Sequence, residues 1–203
     1  MSRPRTLVLF DVDGTLIDSQ SHILGAMDFA FKTRGLVLPP ASEILAIVGL
    51  SLPEAFAQLC PEADAQERLL LVEAYKDSFA SLRKSASASA LYPGALACLD
   101  RLKHMDDVVL GIATGKSRRG LRHVLSNPDL AGRFATTQVA DDHPSKPHPS
   151  MALQAMTESG AVRGVMIGDT TFDMQMGRAA GLKTIGVSWG YHAQQALRAL
   201  ADR

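Results

Sequence analysis

Residues 7–19 read LVLFDVDGTLIDS, an apolar run that ends at two aspartates spaced one residue apart. The run Leu7–Phe10 is long enough for a buried strand and too short for a typical helix. Asp11 and Asp13 follow it on alternate residues. Because open α/β sheets bind ligands beyond the carboxyl ends of their strands, this segment predicts a functional site.

Two neighbouring carboxylates at the end of a buried strand repel each other and lose water, a cost that a cation or a shared proton relieves. A calcium loop does not explain the pair, because counting from Asp11 puts Gly14 at position 4 and His22 at position 12. A hairpin turn at Asp13-Gly14 is disfavoured, since a helical pattern rather than a second strand follows Ser19. The segment therefore indicates a site for chemistry.

Composition is that of a globular chain without charge bias. Of 203 residues, 46% are hydrophobic, and 21 basic residues balance 21 acidic residues. This predicts a real core and gives no sign of a nucleic-acid or membrane partner. No run approaches the ~18 apolar residues of a membrane span, and no signal peptide is evident. We expect a cytoplasmic protein in which Cys60 and Cys98 are reduced and packed.

Short apolar segments rich in β-branched residues alternate with helical patterns along most of the chain. The predicted strands are Leu7–Phe10, Val108–Ala113, Thr136–Ala140, Val165–Ile167 and Thr184–Val187. The predicted helices between the later strands are Ala95–Lys103, Arg118–Leu125, Ser150–Ser159 and Phe172–Ala180. This alternation favours an α/β fold, a doubly wound parallel sheet with a Rossmann-like core.

The interval between the first two strands breaks the alternation. Almost a hundred residues separate Phe10 from Val108, far more than one crossover helix needs. Apolar residues at three- and four-residue spacing predict helices from about Ser19 to Ser81, and residues 84–90 form a small-residue helix end or linker. We predict an α/β catalytic core of residues 1–18 and 84–203, with residues 19–83 inserted as a helical cap domain over the acidic loop.

Polar residues also follow the second predicted strand. Thr114 and Gly115 lie in a turn that opens a helix, where backbone amides and a hydroxyl suit a phosphate group. An ordinary β-to-α turn with Ser117 as the helix N-cap would look the same. Lys146 lies in a segment stiffened by the proline that follows it, although a single lysine is usually a solvated surface group.

A second acidic pair follows the fourth predicted strand. Asp169 ends the strand and Asp173 lies near the start of the next helix, whose dipole favours anions. A helix N-cap with a first-turn acid would explain one of these acids but less readily both. A site rich in carboxylates and poor in cysteine and histidine suits Mg²⁺. A divalent cation and a lysine also relieve the repulsion between a phosphate dianion and an attacking carboxylate.

The segments around Asp11, Thr114, Lys146 and Asp169 resemble the four signature motifs of the haloacid dehalogenase superfamily, and the helical insert resembles its small cap domain. Their order and spacing are most similar to the phosphoglycolate-phosphatase-like branch. The resemblance implies a phosphoric monoester hydrolase that uses Mg²⁺ and an aspartyl-phosphate intermediate. Its substrate would be a small phosphorylated metabolite, either phosphoglycolate-like or a sugar phosphate.

Carried over motif by motif, the resemblance implies a role for each catalytic and substrate-binding residue. Asp11 would be the nucleophile. Asp13 would protonate the leaving oxygen and then take a proton from the hydrolytic water. The phosphoryl oxygens would be held by Thr114, Gly115 and Lys146.

The resemblance also implies a metal site. Asp11, the backbone carbonyl of Asp13, and Asp169 would bind Mg²⁺, and Asp173 would support that site. The leaving group would meet residues of the cap or its surroundings, with Arg34, Gly49, Ser51 and Arg118 as candidates.

Several alternatives stay open or are disfavoured by the same residues. A sugar-phosphate mutase would use the same aspartyl-phosphate, so phosphotransfer is the main alternative to hydrolysis. A non-enzymatic phospho-acceptor domain is less consistent with the long insert and with acids after the first strand. True dehalogenases do not keep the second acid, so Asp13 favours phosphate chemistry. Phosphonate cleavage is disfavoured because the loop Val48–Pro53 contains no lysine. The oligomeric state is not predicted.

Overall fold

The computed structural model describes residues 4–85 and 90–203, and a sheet of five parallel strands lies at its centre. In chain order the strands are β1 (Thr6–Phe10), β2 (Val108–Thr114), β3 (Thr136–Val139), β4 (Arg163–Gly168) and β5 (Lys183–Gly186). Their order across the sheet is β3-β2-β1-β4-β5. The chain therefore builds outward from β1 first to one side and then to the other. Such a reversal opens a crevice at the carboxyl end of β1.

Five of the described helices lie between β1 and β2, and the first four form the helical insertion: α1 (Gln20–Thr33), α2 (Ala41–Ala46), α3 (Leu52–Leu59) and α4 (Ala65–Ser85). They bury an apolar cluster of their own. Within it the ring of Phe56 lies 6.2 Å from that of Phe31 and 6.3 Å from that of Tyr75. Aromatic contacts at this distance join α1, α3 and α4 into one packed unit.

Helix α5 (Ala95–Lys103) leads into β2, and one helix follows each later strand: α6 (Arg118–Val124), α7 (Ser150–Ser159), α8 (Thr171–Ala179) and α9 (Gln194–Arg198). Strand β1 explains how they cover both faces, because successive side chains of a strand point to opposite sides. Val8 and Phe10 pack in one cluster with Leu99 of α5. Leu7 and Leu9 pack in another, with helices α7 and α8. Both faces of the sheet are thus buried, as parallel sheets require.

The predicted α/β fold class and parallel sheet are confirmed, and each of the five predicted strands is present. Strand β2 is longer than predicted and includes Thr114, while β4 begins earlier, at Arg163. That extension arises because Arg163 is paired with Thr6 at the start of β1. Helix α4 continues through Ser85 into the predicted linker at 84–90, of which residues 86–89 lie outside the described part of the chain.

The two cysteines differ from each other in exposure. Cys60 is partly buried against the insertion cluster, whereas Cys98 is exposed, which corrects the prediction that both are packed. The reason is helical geometry, since Leu99 takes the sheet-facing position of α5 beside it. Within residues 4–85 and 90–203 no helix is long and apolar enough to cross a membrane.

Candidate active site

The carboxyl ends of three adjacent strands bring the predicted site residues to one edge of the sheet. Asp11 follows β1, Thr114 is the last residue of β2, and Asp169 follows β4. The register holds these ends level, because Phe10 is paired with both Ile112 of β2 and Ile167 of β4. Residues distant in sequence therefore meet in the crevice beside β1.

Three carboxylates form the centre of the site. Asp11, Asp169 and Asp173 each place a carboxylate oxygen within 4.8 Å of the others, and all three side chains are buried. The Lys146 ammonium joins two of them, with Nζ 2.9 Å from Asp11 Oδ1 and 2.6 Å from Asp173 Oδ1. Three negative groups thus surround one positive group, an arrangement that a divalent cation would balance.

Hydrogen bonds fix the orientation of the second acidic pair. Asp169 accepts one hydrogen bond from the Thr15 hydroxyl at 2.8 Å and another from the backbone N–H of Tyr191 at 2.9 Å. Asp173 accepts from the N–H of Thr170 at 3.1 Å and from its hydroxyl at 2.7 Å. The latter pair forms a capping box at the start of α8. The predicted helix start is therefore present, and its acid also contacts Lys146.

Asp11 differs from the other two acids. Both of its carboxylate oxygens are buried and neither accepts a hydrogen bond from the described residues. Lys146 lies at ion-pair distance from Oδ1, but its direction of approach does not meet hydrogen-bond geometry. Buried carboxylate oxygens are normally satisfied by donors or cations. The unfilled coordination of Asp11 therefore fits a metal ion on one side and an electrophile on the other.

The electrostatics of the cluster agree with this geometry. Burial raises the pKa of Asp11 to about 7; Lys146 opposes that rise, while Asp173 and Asp13 add to it. Burial also raises the pKa of Asp169, with Asp11 and Asp173 acting in the same direction. Burial alone would lower the pKa of Lys146, but Asp11 and Asp173 outweigh it, so this pKa is raised. A divalent cation would favour ionised carboxylates here.

Asp13 is not a member of this cluster, but it lines a cavity together with Asp11. Its Oδ1 accepts a short hydrogen bond from the Ser19 hydroxyl and lies 2.8 Å from Nζ of Lys116. The Ser19 hydroxyl in turn lies 3.2 Å from the Tyr191 hydroxyl. The same Lys116 ammonium lies 5.1 Å from the centroid of the Phe79 ring on α4, a cation–π distance. Lys116 thus connects the acid of the core to the helical insertion.

Thr114 and Gly115 complete the polar side of the cavity. Thr114 is buried, and its hydroxyl accepts a hydrogen bond from the N–H of Lys116 at 3.2 Å. A Cβ at Gly115 would lie 2.6 Å from the carbonyl oxygens of both Gly49 and Leu50. Only glycine therefore allows the turn of the insertion to lie directly over this end of β2.

The cavity lies between the strand ends and the helical insertion, and its volume is about 90 Å³. Asp11, Asp13 and Thr114 belong to one side of it, and residues of α1, α3 and α4 to the other. A backbone contact from Ser51 N–H to the Ser145 hydroxyl oxygen, at 2.8 Å, also joins the two sides. The insertion thus covers the acidic loop.

Comparison with known proteins assigns the family. A model of haloacid dehalogenase-like hydrolases matches residues 8–187, which include all four polar segments of the site.

The chain belongs to the haloacid dehalogenase-like hydrolase family.

Two relatives and one solved structure illustrate its place in this hydrolase family. It is 34% identical to the probable phosphatase IndB of Dickeya dadantii, over 96% of this chain and 86% of the relative. It is 30% identical to a phosphoglycolate phosphatase of Xylella fastidiosa, over 95% of this chain and 83% of the relative. The solved structure of a haloacid dehalogenase-like family hydrolase of Streptococcus pneumoniae matches with a TM-score of 0.83 and 26% identity. The match covers 98% of this chain and 92% of the other.

The predicted superfamily, its phosphoglycolate-phosphatase-like branch and the hydrolase class are thereby confirmed. The alternative of a phospho-acceptor signalling domain is left without support. Among the candidates for the leaving group, Gly49 lines the cavity of this hydrolase. Arg34 instead pairs with Glu67 at 2.7 Å, and Arg118 pairs with Asp142, so both are engaged elsewhere.

Sequence reasoning missed several polar contacts of this family member. Lys116 and Ser19 lie within or beside the motifs, but nothing in their spacing indicated that both would meet Asp13. Thr15 belongs to the same loop as Asp13, yet its hydroxyl binds Asp169 from another strand. Tyr191 lies far along the chain from Asp169, and only the return of the chain after β5 places its N–H there. Motif position alone could have nominated Lys116, Ser19 and Thr15.

Proposed function

We propose that the protein is a Mg²⁺-dependent phosphatase that hydrolyses a small phosphomonoester through an aspartyl-phosphate on Asp11. Phosphatase activity in this family is supported by relatives that carry that name. The observation that carries the proposal is the Asp11 carboxylate, which is buried without hydrogen bonds at the base of the cavity and lies beside Lys146. A group held in this way is positioned to attack phosphorus.

In the proposed first step, a carboxylate oxygen of Asp11 forms a bond to phosphorus as the bond from phosphorus to the ester oxygen breaks. Asp13 gives its proton to the departing alcohol oxygen. Its position in the cavity wall, which Asp11 also lines, supports that role. Thr114, the N–H of Gly115 and Lys146 hold the phosphoryl oxygens while negative charge shifts towards the leaving group.

In the second step, Asp13 takes a proton from water and the water oxygen bonds to phosphorus. The bond between phosphorus and Asp11 breaks, which releases phosphate and restores both acids. One group thus serves as acid and then as base. The contacts with Lys116 and with the Ser19 hydroxyl hold the Asp13 side chain at the cavity.

Mg²⁺ would be held by Asp11, the backbone carbonyl of Asp13, and Asp169, with Asp173 supporting the site through Lys146. The three buried carboxylates within 4.8 Å of one another, all oxygen donors, fit this ion. When bound, the ion supplies positive charge that offsets repulsion between the phosphoryl group and Asp11. Residues 19–83 would act as a cap that keeps bulk water from these groups, as their separate apolar cluster and position suggest.

The test is phosphate release from a panel of small phosphomonoesters in the presence of Mg²⁺, with phosphoglycolate as the reference substrate. We expect wild-type turnover, and we expect Asp11→Asn to lower it by at least ~10³-fold while circular dichroism shows an intact fold. Unchanged rates in Asp11→Asn would refute the nucleophile. Replacing Mg²⁺ with a chelator should likewise abolish turnover, and its retention would refute the metal requirement.

The same panel separates hydrolysis from phosphotransfer. It is run with and without an added sugar bisphosphate while free phosphate and phosphorylated products are both measured. A phosphatase releases phosphate without the bisphosphate. A strict requirement for the bisphosphate, with formation of a phosphorylated sugar, would establish the mutase instead.

A further inference from the structure

The side of the cavity formed by the helical insertion is apolar, in contrast to the charged strand ends. We call this side the roof, and its main side chains are Ile23, Met27, Ile47, Leu50, Tyr75 and Phe79. All of them belong to the apolar cluster of the insertion or pack against it. The roof is therefore a continuation of the hydrophobic core of the insertion that faces the site.

Charge on the roof is confined to its margin. Among the described residues that line the cavity, Lys76 is the one charged side chain from the insertion. Its Nζ lies 2.9 Å from Glu73 Oε1, and 36% of its side chain is exposed, so it lies at the rim. Arg119, the neighbouring cation from the core, is also exposed, and its guanidinium reaches the Lys76 carbonyl at 3.5 Å.

The deeper cations of the site already have carboxylate partners. Lys146 lies between Asp11 and Asp173, and Lys116 lies 2.8 Å from Asp13. An anionic group on the leaving alcohol would have to compete with Asp13 for Lys116 or lie against hydrocarbon. Burial of an ion without a partner is strongly unfavourable.

The geometry of the substrate places its leaving group against the roof. With the phosphoryl group at Asp11, Thr114 and Lys146, as proposed, the alcohol would occupy the cavity that Asp13 and the insertion line. In phosphoglycolate the carboxylate carbon is only two bonds from the ester oxygen, whereas Lys76 and Arg119 lie at the exposed rim of the cavity. An apolar or aromatic group at the same place would gain from burial and from contact with Tyr75 and Phe79.

We infer that the preferred substrates are phosphomonoesters of uncharged alcohols that carry an apolar or aromatic face next to the ester oxygen. The preference rests on the proposed phosphatase function and selects among its possible substrates. It also differs from the substrate that the name of the Xylella fastidiosa relative indicates, because the described side chains of the roof are apolar except for Lys76 at its rim.

The experiment compares kcat/KM for benzyl phosphate, ethyl phosphate and phosphoglycolate, three esters of primary alcohols. For wild-type protein with Mg²⁺ we expect the value for benzyl phosphate to exceed that for phosphoglycolate by at least about tenfold. Ethyl phosphate, whose alcohol is uncharged but small, should have a kcat/KM between those of the other two esters. An equal or higher value for phosphoglycolate would overturn the inference while leaving the phosphatase function intact. If none of the three esters nor any other phosphomonoester is hydrolysed, the proposed function fails and this inference with it.

A charge placed in the roof provides a second measurement. Leu52 lines the cavity and is only partly buried, so Leu52→Lys is expected to fold. It should lower the ratio of benzyl phosphate to phosphoglycolate by about tenfold, because the new cation can pair with the carboxylate. Val162→Lys adds the same charge at an exposed position before β4, at the opposite end of the sheet, and should leave the ratio unchanged. Equal ratios in Leu52→Lys and wild type would overturn the inference, and if Leu52→Lys does not fold, the wild-type ratio decides.

Discussion

The two sides of the cavity differ in the kind of side chain that forms them. On one side, Asp11 lines the cavity and lies against Lys146, Asp169 and Asp173, and all four charged side chains are at most 1% exposed. The opposite side, from α1, α3 and α4, is hydrocarbon and aromatic. Paired charges need fixed directions, which the parallel strands provide, whereas apolar contacts tolerate changes in shape. Under the proposed function, the catalytic groups and the groups that select the substrate would therefore lie on separate elements.

This difference also predicts how each side responds to substitution. On the charged side, removal of one group leaves its partners as buried charges without a counter-ion, so we expect large losses of activity and stability. In the apolar side, a substitution that preserves volume and polarity costs little. Two contacts join the two sides: Lys116 with Phe79, and Gly115 with the turn at Gly49. Substitutions at these contacts should lower activity by an intermediate amount.

The largest effect is expected at Lys146. Lys146→Met removes the cation between Asp11 and Asp173, so we expect at least a ~10³-fold fall in kcat/KM. We also expect a loss of about 3–5 kcal/mol in the free energy of unfolding, because two buried carboxylates lose their counter-ion. Steady-state kinetics and urea unfolding measure the two changes. Lys183→Met, at a position whose side chain is 78% exposed, should change neither. Wild-type activity in Lys146→Met would show that the two sides do not differ as described.

A smaller effect is expected at Gly115, where the insertion approaches the strand ends most closely. In Gly115→Ala the new Cβ would meet two backbone carbonyls at 2.6 Å, so the turn at Gly49 and Leu50 must move. Displacement of a reacting arrangement by about 1 Å can cost about 10²-fold, and we expect a fall in kcat/KM of that order. Thermal unfolding identifies a general loss of stability. Activity equal to wild type would mean that the position of the insertion does not matter for turnover.

Substitution of Lys116, which contacts both sides of the cavity, is expected to have a smaller effect on turnover. Lys116→Met keeps a long side chain over Phe79 but removes the charge 2.8 Å from Asp13. We expect about a tenfold fall in kcat/KM, since the Asp13 carboxylate loses one of its two restraints and keeps the hydrogen bond from Ser19. The matched control is Lys32→Met, at an exposed position on α1. Equal rates in the two variants would rule out a positioning role for Lys116.

The smallest expected effect is on the pH dependence of the thermal stability of the metal-free protein. The pKa of Asp11 is raised from 3.8 to about 7. The folded state therefore holds this proton more tightly than the unfolded chain, and metal-free stability falls as pH rises through that window. Asp11→Asn has no titrating carboxyl at this position and loses this pH dependence. The Tm of Asp11→Asn minus that of wild type should therefore increase by a few degrees between about pH 4.5 and about pH 7.5.

Calorimetry in the presence of a chelator measures this difference. Asp28→Asn, on the exposed side of α1, is the control, and its difference from wild type should be the same at both pH values. An advantage of Asp11→Asn that shrinks as pH rises would show that the carboxyl is not destabilised by burial. Added Mg²⁺ should restore the stability of wild type at the higher pH, because the ion binds only the folded cluster.

Much of the fold could be predicted because its signals are local. Each strand is a short apolar run, and each ends at polar residues such as Asp11, Thr114 or Asp169. Parallel strands carry those ends to one edge of the sheet, so the meeting of the acids with Lys146 follows from topology. The family resemblance depends on the same residues, which is why it held when the family model was compared.

The sequence by itself determined the strand pattern, the helical insertion and the acids at the strand ends, since each depends on neighbours along the chain. Only the tertiary structure decided that Lys116 pairs with Asp13, that the Tyr191 N–H binds Asp169, and that the insertion presents hydrocarbon to the site. Those contacts join segments far apart in sequence. They depend on how helices pack and on the direction in which each side chain points, which periodicity does not specify.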